Sequence, residues 1–406
     1  MVQIKESIPI FVPKFNSMVN RKIEDLLREY AGEFRSLLLV GPRQSGKSTL
    51  VKKVFFEKPY ISLENIDERD LAIRDPRAFL QRFPNGAILD EIQRVPSLFN
   101  YLQEILDNST EDGLFILTGS NNLLLQSNIS QTLAGRIGIL DLLPLSHNEI
   151  KKFDEEEVDI DSLITKGAYP EIYQKKRNPQ HWYPSYIRTY IERDVRDIRN
   201  IDNISMFTKF LRLCAGRVGQ QLNISSMSNE CGIDVKTVNS WLSVLESTYI
   251  IKLLQPYYKN YNKRIVKSPK LYFFDTGVVC SLLGIRNTKE LSVSSFRGPL
   301  FENFILMEIT KEIKNKGSQA ELYYWKINKG IEIDIILDNG QSLTPIEVKS
   351  AQTYSTDFEK NLTAFNAARN ETGGMIVYDG KINFTASNGT EVFNWQNLND
   401  KISGVI

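Results

Sequence analysis

Gly41, Gly46, Lys47 and Ser48 stand at the spacing G-x-x-x-x-G-K-S, a pattern suited to gripping a triphosphate. The glycines allow backbone turns that aim N–H groups inward at phosphate oxygens. Pro42, Arg43, Gln44, Ser45 and Thr49 complete the loop GPRQSGKST, whose main chain would line that cradle. Lys47 would reach the β- and γ-phosphates, and the Ser48 hydroxyl would ligate Mg2+. Downstream, Asp90 and Glu91 form an acid pair: Asp90 would order the Mg2+ shell, and Glu91 would polarise the water that attacks the γ-phosphate. Ser120 or Asn121 would sit between those acids and the γ-phosphate, although either residue also suits a helix cap. Arg136 would reach the γ-phosphate of a neighbouring copy, or would be a surface arginine near a helix C-terminus. A second set of reactive types, Glu302, Asp334, Glu347 and Lys349, lies toward the carboxyl end. There Asp334 and Glu347 are the candidate ligands of a hard cation, and Lys349 would steady charge developing on a phosphodiester or orient the nucleophile. Acid alternating with apolar residue is also the pattern of any half-buried strand.

These residues need elements to hold them. Leu37 to Val40 reads as a strand that breaks at Gly41 and restarts as a helix near Lys47, so the helix's positive end faces the loop. Further strands are expected at 60–63, 86–89, 114–117 and 137–142, alternating with helices such as 67–83, which breaks at Pro76. That alternation implies an α/β fold, a parallel sheet covered on both faces with its ligand at the strands' carboxyl ends. A helix is also expected over 17–30, and the core should close near residue 145.

The stretch YIRTYIERDVRDIR (186–199) is spaced as a helix, and Arg188 and Arg193 either contact nucleotide as part of a lid or pair along the helix. Between 201 and 270 ten basic residues face four acidic ones. Within that span 224–231, a Gly232 turn and 235–245 read as helix–turn–helix, with Lys236, Thr237 and Asn239 early in the second helix. Two strand-like runs then flank the basic tip at 259–264, the order of a winged helix, a module that binds DNA or protein. Past Gly298 a helix carries Glu302, and a hairpin through Asn339-Gly340 brings Asp334 toward Glu347 and Lys349.

At 406 residues the chain exceeds what one core serves. A net charge of +1 gives no global pull toward nucleic acid or membrane, so any basic surface is local. Three cysteines without a CxxC pair suggest a reducing interior, and two histidines argue against zinc. No apolar run is long enough to span a bilayer, so no membrane role and a cytoplasmic location are expected.

Taken in order, GPRQSGKST (41–49), ILDEIQ (88–93), ILTGSN (116–121), LAGR (133–136), GAYPE (167–171), YIERDV (190–195), FEN (301–303), IEIDIIL (331–337) and IEVK (346–349) carry a resemblance. The chain resembles the bacterial and archaeal AAA+-type ATPases whose carboxyl-terminal domain of unknown function is related to PD-(D/E)XK nucleases. The resemblance implies a P-loop ASCE parallel sheet over 1–145, a helical lid over 146–200, a winged-helix region over 201–285 and a restriction-endonuclease-like α/β domain over 286–406. It assigns Lys47 and Ser48 to Walker A, Asp90 and Glu91 to Walker B, and the nuclease-like signature to Glu302, Asp334, Glu347 and Lys349. ATP and Mg2+ are the expected cofactors and nucleic acid, DNA first, the expected partner. A homo-oligomer follows if Arg136 acts between copies. The expected function is ATP hydrolysis coupled to a nucleic-acid-binding, Mg2+-dependent nuclease-like domain. The alternative is a nucleotide-controlled switch or DNA-binding regulator whose last domain binds without cleaving.

Overall fold

Every residue of SLLLV is apolar or small because both faces of that strand are covered. In the computed structural model, which describes residues 19–120, 133–153, 159–191, 204–257, 268–327, 330–369 and 372–406, β1 (Ser36–Val40) is buried along its length. Leu37 and Leu39 pack with Ile23 and Leu27 at α1 (Glu24–Glu33) and with Leu50 and Val51 of α2 (Lys47–Val54). Leu38 and Val40 face the other way, toward Phe79 of α4 (Pro76–Gln81) and Phe99 and Leu102 of α5 (Leu98–Asn108). Between these elements lie β2 (Tyr60–Ser62), α3 (Ile66–Arg74) and β3 (Ala87–Asp90), and β4 (Phe115–Gly119) and β5 (Ile137–Asp141) follow. The sheet order is β2-β3-β4-β1-β5, parallel throughout. Because β4 lies between β1 and β3, the acids of β3 approach the loop of β1 across the tip of β4.

The helix–turn–helix forms as its sequence suggests. Asn223 and Asp234 cap the helices Ile224–Cys231 and Val235–Ser247, accepting the first-turn backbone N–H groups of Ser226 and Thr237. Gly232, at φ +70°, closes the first helix, and the N–H groups of Gly232 and Ile233 both reach the Ser228 carbonyl. β6 (Ile251–Leu254) and β7 (Lys270–Phe273) then pair antiparallel. The basic tip at 259–264 lies outside the described residues, as do Asn121, Arg193 and most of the expected 186–199 helix. What is described of the last is the helix Pro179–Tyr186, continued by a π-turn over Ile187–Ile191. The first helix begins later than the sequence pattern suggests, at Glu24.

The carboxyl-terminal sheet is mixed, with β12 (Phe384–Thr385) at one edge, in the order β12-β13-β11-β10-β9-β8. β8 (Glu321–Lys326), β9 (Glu332–Asp338) and β10 (Leu343–Lys349) run antiparallel, and β10, β11 (Gly374–Tyr378) and β13 (Thr390–Asn394) run parallel. A long helix, Arg297–Asn315, shares a core with Ile335, Leu337 and Ile346 on one face. The helix Lys360–Arg369 puts Leu362 and Phe365 against Ile333, Ile336 and Ile376 on the other. One apolar cluster runs from Leu145 through Phe210, Leu245 and Leu271 to Phe301, Ile346 and Trp395, so packing is continuous across residues 200 and 286.

His147 sits in that continuous packing, 3% exposed, with its ring 4.7 Å from Trp395 and its Nε2 without a hydrogen-bond partner. Burial, with the charges of Lys151, Lys311 and Lys22, holds its pKa down to about 3. The folded chain therefore refuses a proton that the unfolded chain accepts below its ordinary value near 6.5, and this stability is lost as pH falls from there toward 3. Between pH 7 and 5 the loss amounts to about 2 kcal/mol. His147→Phe, which keeps an aromatic ring but cannot titrate, is expected to lose less Tm over that interval than the parent. Equal losses by calorimetry would remove His147 from the account.

Candidate functional site

The loop after β1 turns where side chains cannot follow. Gly41 has φ +148°, and a Cβ there would meet the Leu142 carbonyl oxygen at 2.2 Å. Gly46, at φ +95°, leads directly into α2, whose first residue is Lys47. Lys47 folds back over the loop, its Nζ donating to the carbonyls of Gly41 at 2.9 Å and Pro42 at 2.8 Å. Ser48 Oγ donates to both oxygens of Asp90, at 2.9 and 3.0 Å, so the hydroxyl of α2 and the acid of β3 meet although their strands are not neighbours. Two residues that the motif search did not single out complete this junction. Tyr60 donates its hydroxyl to Asp90 Oδ2 at 2.6 Å, and the Thr118 hydroxyl donates to Asp90 Oδ1. Burial, together with the Asp90 carboxylate, pushes the Tyr60 phenol well above its usual range.

Glu91 follows in a left-handed turn, φ +60°, its N–H donating to Thr118 Oγ1 at 3.2 Å. Its carboxylate receives the Gln93 amide, which also donates to Ser120 Oγ at 3.1 Å. Ser120 thus stands beside Glu91, its Oγ 3.4 Å from Oε2. Arg136 lies at the other end of the sheet's loops, paired with Asp107 and donating to the Ala134 carbonyl at 3.1 Å. The donor set at Ser48 and Asp90 is hydroxyl and carboxylate, hard oxygens that fit Mg2+, and the buried Ser45 Oγ is left without a partner in the loop.

The second set of candidates also converges. Asp334 accepts the Val348 N–H at 2.9 Å, and Lys349 Nζ lies 3.8 Å from Asp334 and donates to Glu347. Glu347 is fully buried and its Oε1 has no hydrogen-bond partner. Burial and the Asp334 charge push its carboxyl up to about 8, against the pull of Lys349 and Asn361. Glu302 is likewise pushed up to about 7 by burial and Asp334, against Lys270 and Tyr272. Those last two, from β7, are the residues that sequence reasoning missed. Lys270 Nζ stands 3.2 Å from Glu302 Oε1 and 2.5 Å from Glu332 Oε1, and the Tyr272 hydroxyl donates to Glu302. Among the described residues no three acidic, imidazole or thiol side chains are grouped so as to share a metal ion. Asp334 and Glu347 supply only two carboxylates, and with the Lys349 ammonium already seated on them the cluster as it stands does not fit a divalent cation.

Residues 33–151 match the family described as AAA domain. Over that stretch the chain is similar to AAA domains. That match supports ATP binding and hydrolysis at the loop of β1. Residues 157–289 and 297–398 match two domains of unknown function, DUF8612 and DUF4143. An uncharacterized protein of Mycobacterium tuberculosis is 26% identical over 356 residues, covering 86% of this chain and 78% of its own length. One from Methanocaldococcus jannaschii is 22% identical over 390 residues, covering 88% and 83%. The Walker-type ATPase of Pyrococcus abyssi shares 16% identity, with a TM-score of 0.46, over 65% of this chain and 96% of its own. No described helix is long and apolar enough to cross a membrane.

The parallel-sheet region is tied to the rest of the chain through Arg21 and Lys22. Arg21 donates to the Ser45 carbonyl of the loop at 2.9 Å, to the Leu143 carbonyl at 2.7 Å and to Glu149 at 2.9 Å. Glu149, fully buried, also accepts the Lys22 N–H, and Lys22 Nζ reaches Glu312 of the long helix at 2.9 Å. Burial raises the Glu149 pKa, but Arg21 and the backbone donors outweigh it and hold the group charged. On the same side Glu308 accepts the His147 N–H at 2.9 Å, and Lys311 donates to the Leu145 carbonyl at 2.8 Å. The helix that carries Glu302 is therefore pinned to the back of the phosphate loop. From the helix Pro179–Tyr186, Tyr186 donates to the Arg43 carbonyl at 3.4 Å.

Proposed function

We propose that the chain is a Mg2+-dependent ATP hydrolase that couples its nucleotide state to a nucleic-acid-binding, nuclease-like carboxyl-terminal region. The observation that carries the first half is the contact of Ser48 with both oxygens of Asp90. In this reading the loop N–H groups and Lys47 hold the phosphates of ATP, and Ser48 and Asp90 hold Mg2+. That ion, when bound, offsets charge on the β- and γ-phosphates. Glu91 takes the proton of the attacking water, with Gln93 and Ser120 setting its direction. Tyr60 and Thr118 fix Asp90 from the neighbouring strands.

The second half is supported by the excess of basic residues across 201–270 and by the path from Ser45 through Arg21, Glu149, Lys22 and Glu312 to the long helix. A change in loop position on ATP binding would act on Glu302 along one rigid helix. Nicking of supercoiled plasmid tests this half. On the nuclease reading the parent nicks with Mg2+ or Mn2+ present, and Lys349→Ala loses at least about 10-fold of that activity, the scale of losing one charge-stabilising contact. Cleavage unchanged in Lys349→Ala would remove the site assignment. The alternative, a regulator that binds nucleic acid without cutting, is favoured by the lysine already seated among the carboxylates. It predicts no nicking but ATP-dependent retention of DNA.

A role for Arg136 between copies requires release of its exposed pairing with Asp107, which costs less than about 1 kcal/mol. Arg136→Ala is expected to flatten the rise of specific ATPase activity with protein concentration. If both proteins hydrolyse ATP equally at every concentration, the arginine acts only within its own chain.

A further inference from the structure

The phosphate loop borders a cavity of about 550 Å3 that the proposed ATP chemistry does not use. Gln44 lines it from the loop, and the helix Pro179–Tyr186 lines it with Trp182 and Tyr186. The tripeptide Lys175-Lys176-Arg177 adds three exposed cations in succession. One carboxylate of the lining answers them. Glu171 Oε1 receives Lys175 Nζ at 3.0 Å and Arg177 Nη2 at 3.3 Å, while Oε2 accepts the Trp182 indole N–H at 3.3 Å. Both ion pairs are largely exposed, so exchanging them for another anion costs little. Among the described residues no carboxylate pairs with Lys176.

The backbone around this cavity is irregular where stability alone would make it regular. Lys176 stands at φ +48° in the turn that ends the helix Pro170–Gln174, with the Arg177 N–H on the Ile172 carbonyl at 3.0 Å. Glycine is the usual occupant of such a left-handed position, so a lysine there sets charge at the cavity at a cost in strain. Gln44, on the loop side, is also left-handed, at φ +64°. Pro184 has no N–H to give within its helix, which continues as the π-turn carrying Thr189 into the lining. Left-handed non-glycine residues and π-turns gather at ligand sites.

The lining also selects among anions. A small anion needs one cation, whereas three in succession against one carboxylate suit repeated phosphates. An acidic peptide would meet cations that Glu171 already supplies with a carboxylate, and would leave the rings unused. His181 and the half-buried Trp182 lie in the same lining, which gives the cationic and aromatic walls that hold a single strand by its phosphates and a base.

We propose that this cleft holds a single nucleic-acid strand against the phosphate loop, its phosphates on Lys175, Lys176 and Arg177 and a base against His181 and Trp182. The proposal rests on the nucleic-acid half of the reading above, and places the strand away from both the helix–turn–helix and the carboxyl-terminal carboxylates. Fluorescence anisotropy of labelled oligothymidine, titrated over a range of salt with the full-length parent, Lys176→Gly, Lys176→Gln and Lys236→Gln, tests it. Both Lys176 variants are expected to bind several-fold more weakly at low salt. Their log–log salt slopes should be shallower by about 0.7, the worth of one phosphate contact on a single strand. Lys176→Gly should do so without loss of Tm, because glycine is at home in that left-handed turn. Unchanged slopes in both Lys176 variants would overturn the cleft; if Lys236→Gln alone weakens binding, the partner stands and sits on the helix–turn–helix. No binding by the parent at low salt would overturn both. ATP affinity without the strand should be unchanged in Lys176→Gly, and a matching loss would give the cleft to the triphosphate and overturn the proposal. Displacement of the oligothymidine by polyglutamate as readily as by its unlabelled copy would make the ligand an acidic chain, which also overturns it.

Discussion

Glu91→Gln is expected to bind ATP as tightly as the parent and to hydrolyse it about 10²-fold or more slowly, the loss typical of removing a general base. The glutamine keeps the shape of the side chain and still offers an oxygen to Gln93, so the left-handed turn at Glu91 and its bond to Thr118 should survive. What it cannot do is accept a proton. Phosphate release measured at saturating ATP, beside equilibrium binding of ATP, separates the two effects. Turnover within a few-fold of the parent would mean that another group activates the water.

Lys47→Ala is expected to weaken ATP binding about 10- to 10²-fold, the worth of one or two charge-assisted hydrogen bonds at roughly 1.5–3 kcal/mol. Lys47 is 5% exposed, and its ammonium rests on the carbonyls of Gly41 and Pro42. ATP would draw it from those carbonyls onto phosphate oxygens, so the loop is held shaped before the ligand arrives and little ordering is left to do. Titration with a fluorescent ATP analogue reads the loss, and a parallel Tm measurement reports how much the loop itself needs the lysine. Parental affinity in Lys47→Ala would place the triphosphate elsewhere.

The sequence disclosed the residues that act through neighbours in the chain. Gly41 to Ser48 is one local device, and Asp90 and Glu91 are marked by the end of an apolar strand, so spacing alone exposes them. The helix–turn–helix was legible for the same reason, since Asn223, Gly232 and Asp234 are local caps. Tyr60 and Thr118 were not, because only the strand order, with β3 between β2 and β4, brings them to Asp90. Thr118 and Gln93 did lie inside the quoted motifs ILTGSN and ILDEIQ, which was the available signal. Arg21 and Lys270 gave none. Each is a basic residue far along the chain from the carboxylate it meets, and a composition count enters Lys270 as surface charge rather than as a buried ammonium. Glu302 illustrates the same limit in reverse: the acid was visible, but its engagement by β7 depends on packing that spans the middle of the chain.

The most direct measurement is equilibrium binding of ATP to the full-length protein with Mg2+ and with EDTA, beside Asp90→Asn. The account predicts saturable ATP uptake that Mg2+ strengthens in the parent, with that Mg2+ effect largely lost in Asp90→Asn. ATP uptake that is absent, or that responds to Mg2+ equally in both proteins, would contradict it.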